Sequence, residues 1–133
     1  MHIKSEYLGQ LRTEATHVKS GERLLTDAPT DNHGKGETFS PTDLVAASLA
    51  SCMMTIMGIE AQKLGFDVTG LSADTQKIMK NDPRTISAIR IVFHWPEPGV
   101  PTEKLAHLKE KALSCPVALC LHPSVRQEVT FDF

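Results

Sequence analysis

The residues best suited to chemistry in this chain are two cysteines. Cys52 stands in Ser-Pro-Thr-Asp-Leu-Val-Ala-Ala-Ser-Leu-Ala-Ser-Cys-Met-Met-Thr-Ile-Met-Gly-Ile-Glu (40–60), and Cys115 in Leu-Ser-Cys-Pro-Val-Ala-Leu-Cys-Leu-His-Pro (113–123). Thiolate is the reactive form of cysteine, and a second thiol in reach turns one oxidation into a recoverable cycle. A thiol inside a small-residue helix and another at a helix start can therefore be the two halves of a dithiol redox site. Each has a plainer alternative. Cys52 falls on an apolar stripe, where free cysteine packs as a small hydrophobe. Its mid-helix position gives no dipole help, so a reactive Cys52 needs a cation from elsewhere. Cys115, at an N-cap with Pro116 at the first helical position, meets unpaired backbone N–H groups that stabilise a thiolate. By these residues alone Cys115 is the more acidic thiol. Cys120 reads as core filler.

Three charged residues are candidate companions. Asp43 fits the acid of a capping box. It precedes Cys52 by a rotation of roughly 180° and roughly 13 Å of helix, so it cannot touch the Cys52 of its own helix but could touch that of a second copy. Arg12 and Arg23, on N-terminal strands, are candidate cations, with a solvated strand arginine as the plain reading of each. Zinc is a rival use of Cys115-x4-Cys120-x-His122, with His94 or Cys52 to complete a tetrahedron. The chain has no C-x2-C pair, the usual mark of structural zinc.

The elements that must position these groups follow from pattern. Residues 2–28 read as strands punctuated by Gly9 and the Lys19–Glu22 turn, and 27–37 as a polar loop. A helix of about 22 residues starts with Ser40 as N-cap and Pro41 at the first position, and ends at Gly65. Val45, Leu49, Cys52, Ile56 and Ile59 form its apolar stripe. Strands are expected over 66–80 and 84–95 around the Asn81–Arg84 turn, a helix over 102–114, a short helix from Cys115-Pro116, and a strand over 125–133. The order is α+β, in a single domain over 1–133. A long helix apolar around much of its girth outruns the cover so few strands provide, and burial against its own copy in a homodimer is the simplest remedy.

Bulk properties narrow the classes. The 133 residues are 41% hydrophobic and 23% charged, ordinary for a globular protein. The net charge of −2 comes with no clustered Lys/Arg face, which argues against nucleic acid. Three cysteines do not make a secreted disulfide framework. No run approaches the length needed to span a bilayer, and the N-terminus has no apolar signal. A soluble, cytoplasmic protein of a reducing compartment, without membrane association, is expected.

At Leu11–Ala15 (Leu-Arg-Thr-Glu-Ala), Gly34–Leu44 (Gly-Lys-Gly-Glu-Thr-Phe-Ser-Pro-Thr-Asp-Leu) and Cys115–Pro123 the chain resembles the OsmC/Ohr family of organic hydroperoxide reductases, most closely its OsmC-like branch. The likeness runs over nearly the whole chain. It implies an intertwined homodimer with two long central helices wrapped by antiparallel sheets. It also implies a thiol peroxidase needing no cofactor. Cys52 matches the thiol that attacks an organic hydroperoxide and becomes a sulfenic acid. Cys115 matches the resolving thiol that condenses with it to an intramolecular disulfide, and an external dithiol, a lipoyl group in the best-known relatives, restores the pair. Asp43 matches the acid at the helix start, and Arg12, in preference to Arg23, the arginine. The resemblance thus gives the attack to Cys52 where local physics favours Cys115. Met53, Met54, Met57 and Ile56 around Cys52 suit a substrate with a hydrocarbon body. The alternative is a thiol redox sensor or a binder of small apolar ligands, without turnover.

Overall fold

The computed structural model describes residues 1–133 and divides into two compact units, Met1–Val45 and Ala46–Phe133. In the first unit, β1 (Ile3–Gly9), β2 (Arg12–His17) and β3 (Arg23–Asp27) form an antiparallel sheet in that order. The β2–β3 register is centred on the Lys19-Ser20 turn, so Thr16 faces Arg23 and Arg12 faces Asp27. The loop that follows contains one 3-10 turn, Thr30–Asn32, and folds back on itself: Gly34 N–H donates to Pro29 O and Gly36 N–H to Ala28 O. A Cβ on Gly34 would lie 1.6 Å from the Ala28 carbonyl oxygen, so only glycine fits there. This fold-back sets the position of Glu37.

Helix α1 (Pro41–Lys63) starts as its sequence dictates. Asp43 N–H donates to Ser40 Oγ at 3.0 Å and Ser40 N–H to Asp43 Oδ2 at 2.9 Å, a reciprocal capping box with Pro41 at the first helical position. It ends at Gly65, whose φ of 83° admits glycine most readily, with Phe66 N–H closing on Ala61 O. The buried stripe is Ala46, Leu49, Ala50, Met53, Met57 and Ala61. That corrects the stripe read from sequence: of Val45, Leu49, Cys52, Ile56 and Ile59 only Leu49 is buried, and Ile59 is exposed. Apolar residues occur on every side of α1, so spacing alone could not choose the face that enters this chain's core. By length and composition α1 could cross a membrane, with mean hydropathy 1.7 over its most apolar 18 residues. This corrects the expectation that no segment nears that length. Ser and Thr interrupt the apolar run without much lowering its average.

The second unit continues with β4 (Ser72–Lys80), β5 (Thr85–His94), α2 (Thr102–Ala112), α3 (Pro116–Cys120) and β6 (Arg126–Asp132). The sheet order is β4-β5-β6. β4 pairs antiparallel with β5, but β6 returns across α2 and α3 and pairs with β5 in parallel, so this sheet is mixed rather than purely antiparallel. β4 begins later than expected, because Asp67 accepts from Thr69 N–H and Oγ1 and fixes a turn before Gly70. The strand β5 alternates: Ile89, Ile91 and Phe93 are fully buried, with Leu108 and Ala112 of α2 and Cys115 also in the core. On the other face Arg90 bonds Glu128 and Gln76, and His94 bonds Asp74 and Asp132.

Candidate functional site

The two cysteines of the second unit meet. Cys52, half-buried on α1, is a neighbour of Cys115, which is fully buried at the N-cap of α3, close enough to shift its pKa. Both are free thiols. Cys115 Sγ accepts from Ala118 N–H at 3.4 Å, as the Cys-Pro pattern predicts for an N-cap. Yet the Cys115 pKa is raised, chiefly by burial. The Ala118 N–H opposes the rise and the neighbouring Cys52 adds to it. This runs against the expectation, drawn from its helix start, of a thiolate-stabilising setting at Cys115. Burial, invisible in a sequence window, outweighs one short helix start. Cys52 is the more accessible of the two, the partner a small molecule can reach.

Cys120 is exposed at the end of α3, not core filler as its apolar neighbours suggested. It does not join Cys115 and His122 in a metal-binding cluster, and His122 Nδ1 is bonded to Ser124. Met53 and Met57 are fully buried in the core, whereas Met54 and Ile56 remain partly accessible.

The first unit carries a charged cluster. Arg12 Nε donates to Asp27 Oδ1 at 2.7 Å and Nη2 to Asp27 Oδ2 at 2.9 Å, with a further bond from Nη2 to Glu37 Oε2 at 3.0 Å. Asp27 Oδ2 also accepts the Glu37 backbone N–H at 3.1 Å, and Asp27 N–H donates to Phe39 O. The hydrogen bond to Arg12 is the largest cause holding the Asp27 carboxyl below its ordinary range, and the same pairing raises Arg12 above its own. Arg23, by contrast, makes one surface ion pair with Glu14. Asp43 is engaged at Ser40, and with Gly36, Glu37, Thr38 and Phe39 it lines a cleft of about 450 Å³.

Of the residues singled out by sequence, the structure brings Cys52 to Cys115, pairs Arg12 with two carboxylates, and sets Asp43 at the helix cap. Asp27 and Glu37 were not anticipated. A signal for Asp27 existed: centring the hairpin on its recognised turn puts Arg12 opposite Asp27. Glu37 had none, since a folded-back loop delivers it.

The sequence pattern of the family described as OsmC-like protein matches residues 34–130. No curated protein matches the chain in sequence. A solved Psychrobacter arcticus protein named for osmotic stress induction and detoxification response is 44% identical, with a TM-score of 0.93 over 98% of this chain and 95% of that one. An organic hydroperoxide resistance protein OsmC from Legionella pneumophila superposes with a TM-score of 0.78 at 16% identity, covering 100% of this chain and 98% of that one. An organic hydroperoxide resistance protein from Elizabethkingia anophelis gives 0.71 at 15% identity, over 98% and 95%. The last two share the fold, which is the α+β fold described above.

Proposed function

The chain belongs to the OsmC-like protein family, and from that premise we propose that it is a thiol-dependent peroxidase that reduces organic hydroperoxides. The observation that carries this reading is the asymmetric thiol pair, one member accessible and its neighbour buried. The Cys52 thiolate attacks the distal peroxide oxygen. An S–O bond forms, the O–O bond breaks, and the alkoxide leaves as the alcohol after taking a proton. Cys115 then attacks the sulfenic sulfur, water departs, and a Cys52–Cys115 disulfide results. An external dithiol of the lipoyl class supplies two electrons by exchange and becomes a disulfide itself. Such a cycle suits a reducing, cytoplasmic setting.

Arg12 is the cation of this scheme, offered to the thiolate and to the oxygen on which charge builds. Asp43, the acid of this scheme, holds the helix start, and Asp27 and Glu37 are the carboxylates bonded to the arginine. A substrate with a hydrocarbon body is favoured by the partly accessible Met54 and Ile56 near Cys52 on α1. The chain acts as a homodimer in this reading. Ile3 is 63% exposed, Tyr7 66% and Ile59 44%, an apolar surplus on the first sheet and on α1 that a second copy would cover.

Steady-state consumption of cumene hydroperoxide with dihydrolipoamide tests the activity. Intact mass after one equivalent of peroxide tests the route: wild type should lose two hydrogens, and Cys115→Ser should gain one oxygen. Oxidation without turnover would favour the sensor reading, and no oxidation at Cys52 would end both.

A further inference from the structure

We propose that Glu60 and His107 form a positioning clasp that sets α2 against α1 in the one register in which Cys115 meets Cys52, an inference that rests on the thiol pair read above as the redox centre. His107 Nε2 lies 2.9 Å from Glu60 Oε2. Lys63 first, and then His107, hold the Glu60 carboxyl below its ordinary range, so it stays ionised. An ionised carboxylate only accepts, so Nε2 carries the hydrogen and donates it. The side chain of Glu60 is 15% exposed, so water competes for this bond only in part. Lys104 adds a second tie, its Nζ donating to Leu64 O at 3.3 Å.

These ties and the thiols share one alignment. As the chain advances along α1 from Cys52 to Glu60 and on to Leu64, the partners recede from Cys115 to His107 to Lys104. The two segments therefore run antiparallel, with the sulfurs at one end and the polar ties at the other. Glu60 follows Cys52 by eight residues and His107 precedes Cys115 by eight, about two helical turns. The span from His107 to Cys115 has no loose link: Leu113 N–H bonds Lys109 O, Ser114 N–H bonds Lys111 O, and Cys115 N–H bonds Ala112 O. A shift of His107 is thus passed on to the Cys115 sulfur. Leu108 and Ala112 bury α2 in the core, but apolar burial has no direction and fixes no register. A slip of one turn would move α2 by about 5.4 Å, whereas a disulfide needs its sulfurs about 2 Å apart. The directed bond between Glu60 and His107 separates the one alignment from its neighbours.

The experiment is the redox equilibrium of the pair in glutathione buffers, in a Cys120→Ser background so that only Cys52 and Cys115 can bridge within a chain. The two thiols give up two hydrogens to form the S–S bond, and glutathione disulfide takes them to become two glutathione thiols. Alkylation and intact mass read the bridged fraction, and circular dichroism checks the fold. A thiol held in place has a high effective concentration, so loosening it disfavours the bridge. His107→Ala and Glu60→Ala should each lower the equilibrium constant by about tenfold, a shift of about 30 mV, and the double variant should go no further. Glu60→Gln, whose amide oxygen still accepts from Nε2–H, should keep most of the wild-type value. Lys63→Ala removes a partner that Glu60 has on its own helix, and should leave the equilibrium unmoved. If His107→Ala does not fold, His107→Phe fills the space without the ring N–H and should show the same loss. An unmoved or strengthened bridge in the His107 and Glu60 variants overturns the proposal. So does an equal loss in Lys63→Ala, or a full additional loss in the double variant. If wild type forms no Cys52–Cys115 bridge at any glutathione ratio, the thiol-pair reading falls and the clasp falls with it. A normal wild-type bridge beside unmoved variants sinks the clasp alone.

Discussion

Cys115 shows how three demands can meet on one sulfur: it caps α3, it fills the core, and it neighbours Cys52. Serine keeps the cap but removes the second thiol. Cys115→Ser should therefore consume about one equivalent of hydroperoxide per chain and then stall, with steady-state turnover reduced more than about 100-fold. A stopped assay of residual peroxide reads this directly, and sustained turnover would show that Cys115 does not resolve the sulfenic acid. Both cysteines were legible as redox candidates from residue type and setting. The burial that raises the Cys115 pKa was not, because a window around Cys115 shows the helix start and not the core packed over it. Arg12 was legible as a cation, but its pairing with a buried carboxylate, where Arg23 pairs with Glu14 at the surface, was not.

Elements carry their own tests. The reciprocal bonds between Ser40 and Asp43 fix where α1 begins, so Ser40→Ala should lower stability by about 1 kcal/mol, measured by urea unfolding. In the second sheet, His94 joins three strands, with Nε2 3.0 Å from Asp74 and Nδ1 3.1 Å from Asp132. The Asp132 hydrogen bond is the largest cause raising its pKa above the ordinary 6.5. Because the folded value is the higher one, the clasp contributes fully below the unfolded value and is lost as pH rises through the folded value. Unfolding midpoints should fall as pH rises above the ordinary 6.5 and through the raised folded value, and His94→Gln should flatten that fall. Helix limits were legible because caps are local chemistry: Ser40, Pro41 and Gly65 each mark their own position. The face α1 buries was not, since apolar groups ring the helix. Neither was the parallel pairing of β6, which depends on the path of α2 and α3 rather than on the strand's own residues.

At the scale of the whole molecule, the surplus of apolar surface argues for a second copy. Light scattering should give about twice 14.6 kDa, and a stable monomer at that mass would contradict the dimer. Detergent-dependent solubility would instead turn attention to the hydropathy of α1. The proximity of Cys52 and Cys115 has one more effect, felt far from either sulfur. A covalent link between positions 52 and 115 would enclose β4, β5 and α2 in a single loop. Closing a loop of that size restricts the unfolded chain by about 4 kcal/mol on the entropic account. The oxidised protein should accordingly melt well above the reduced one in calorimetry, with any loss of the α3 cap subtracting from the gain. Heat resistance would then rise with each peroxide consumed and fall with each reduction, making thermal tolerance a readout of how recently the protein has met its oxidant.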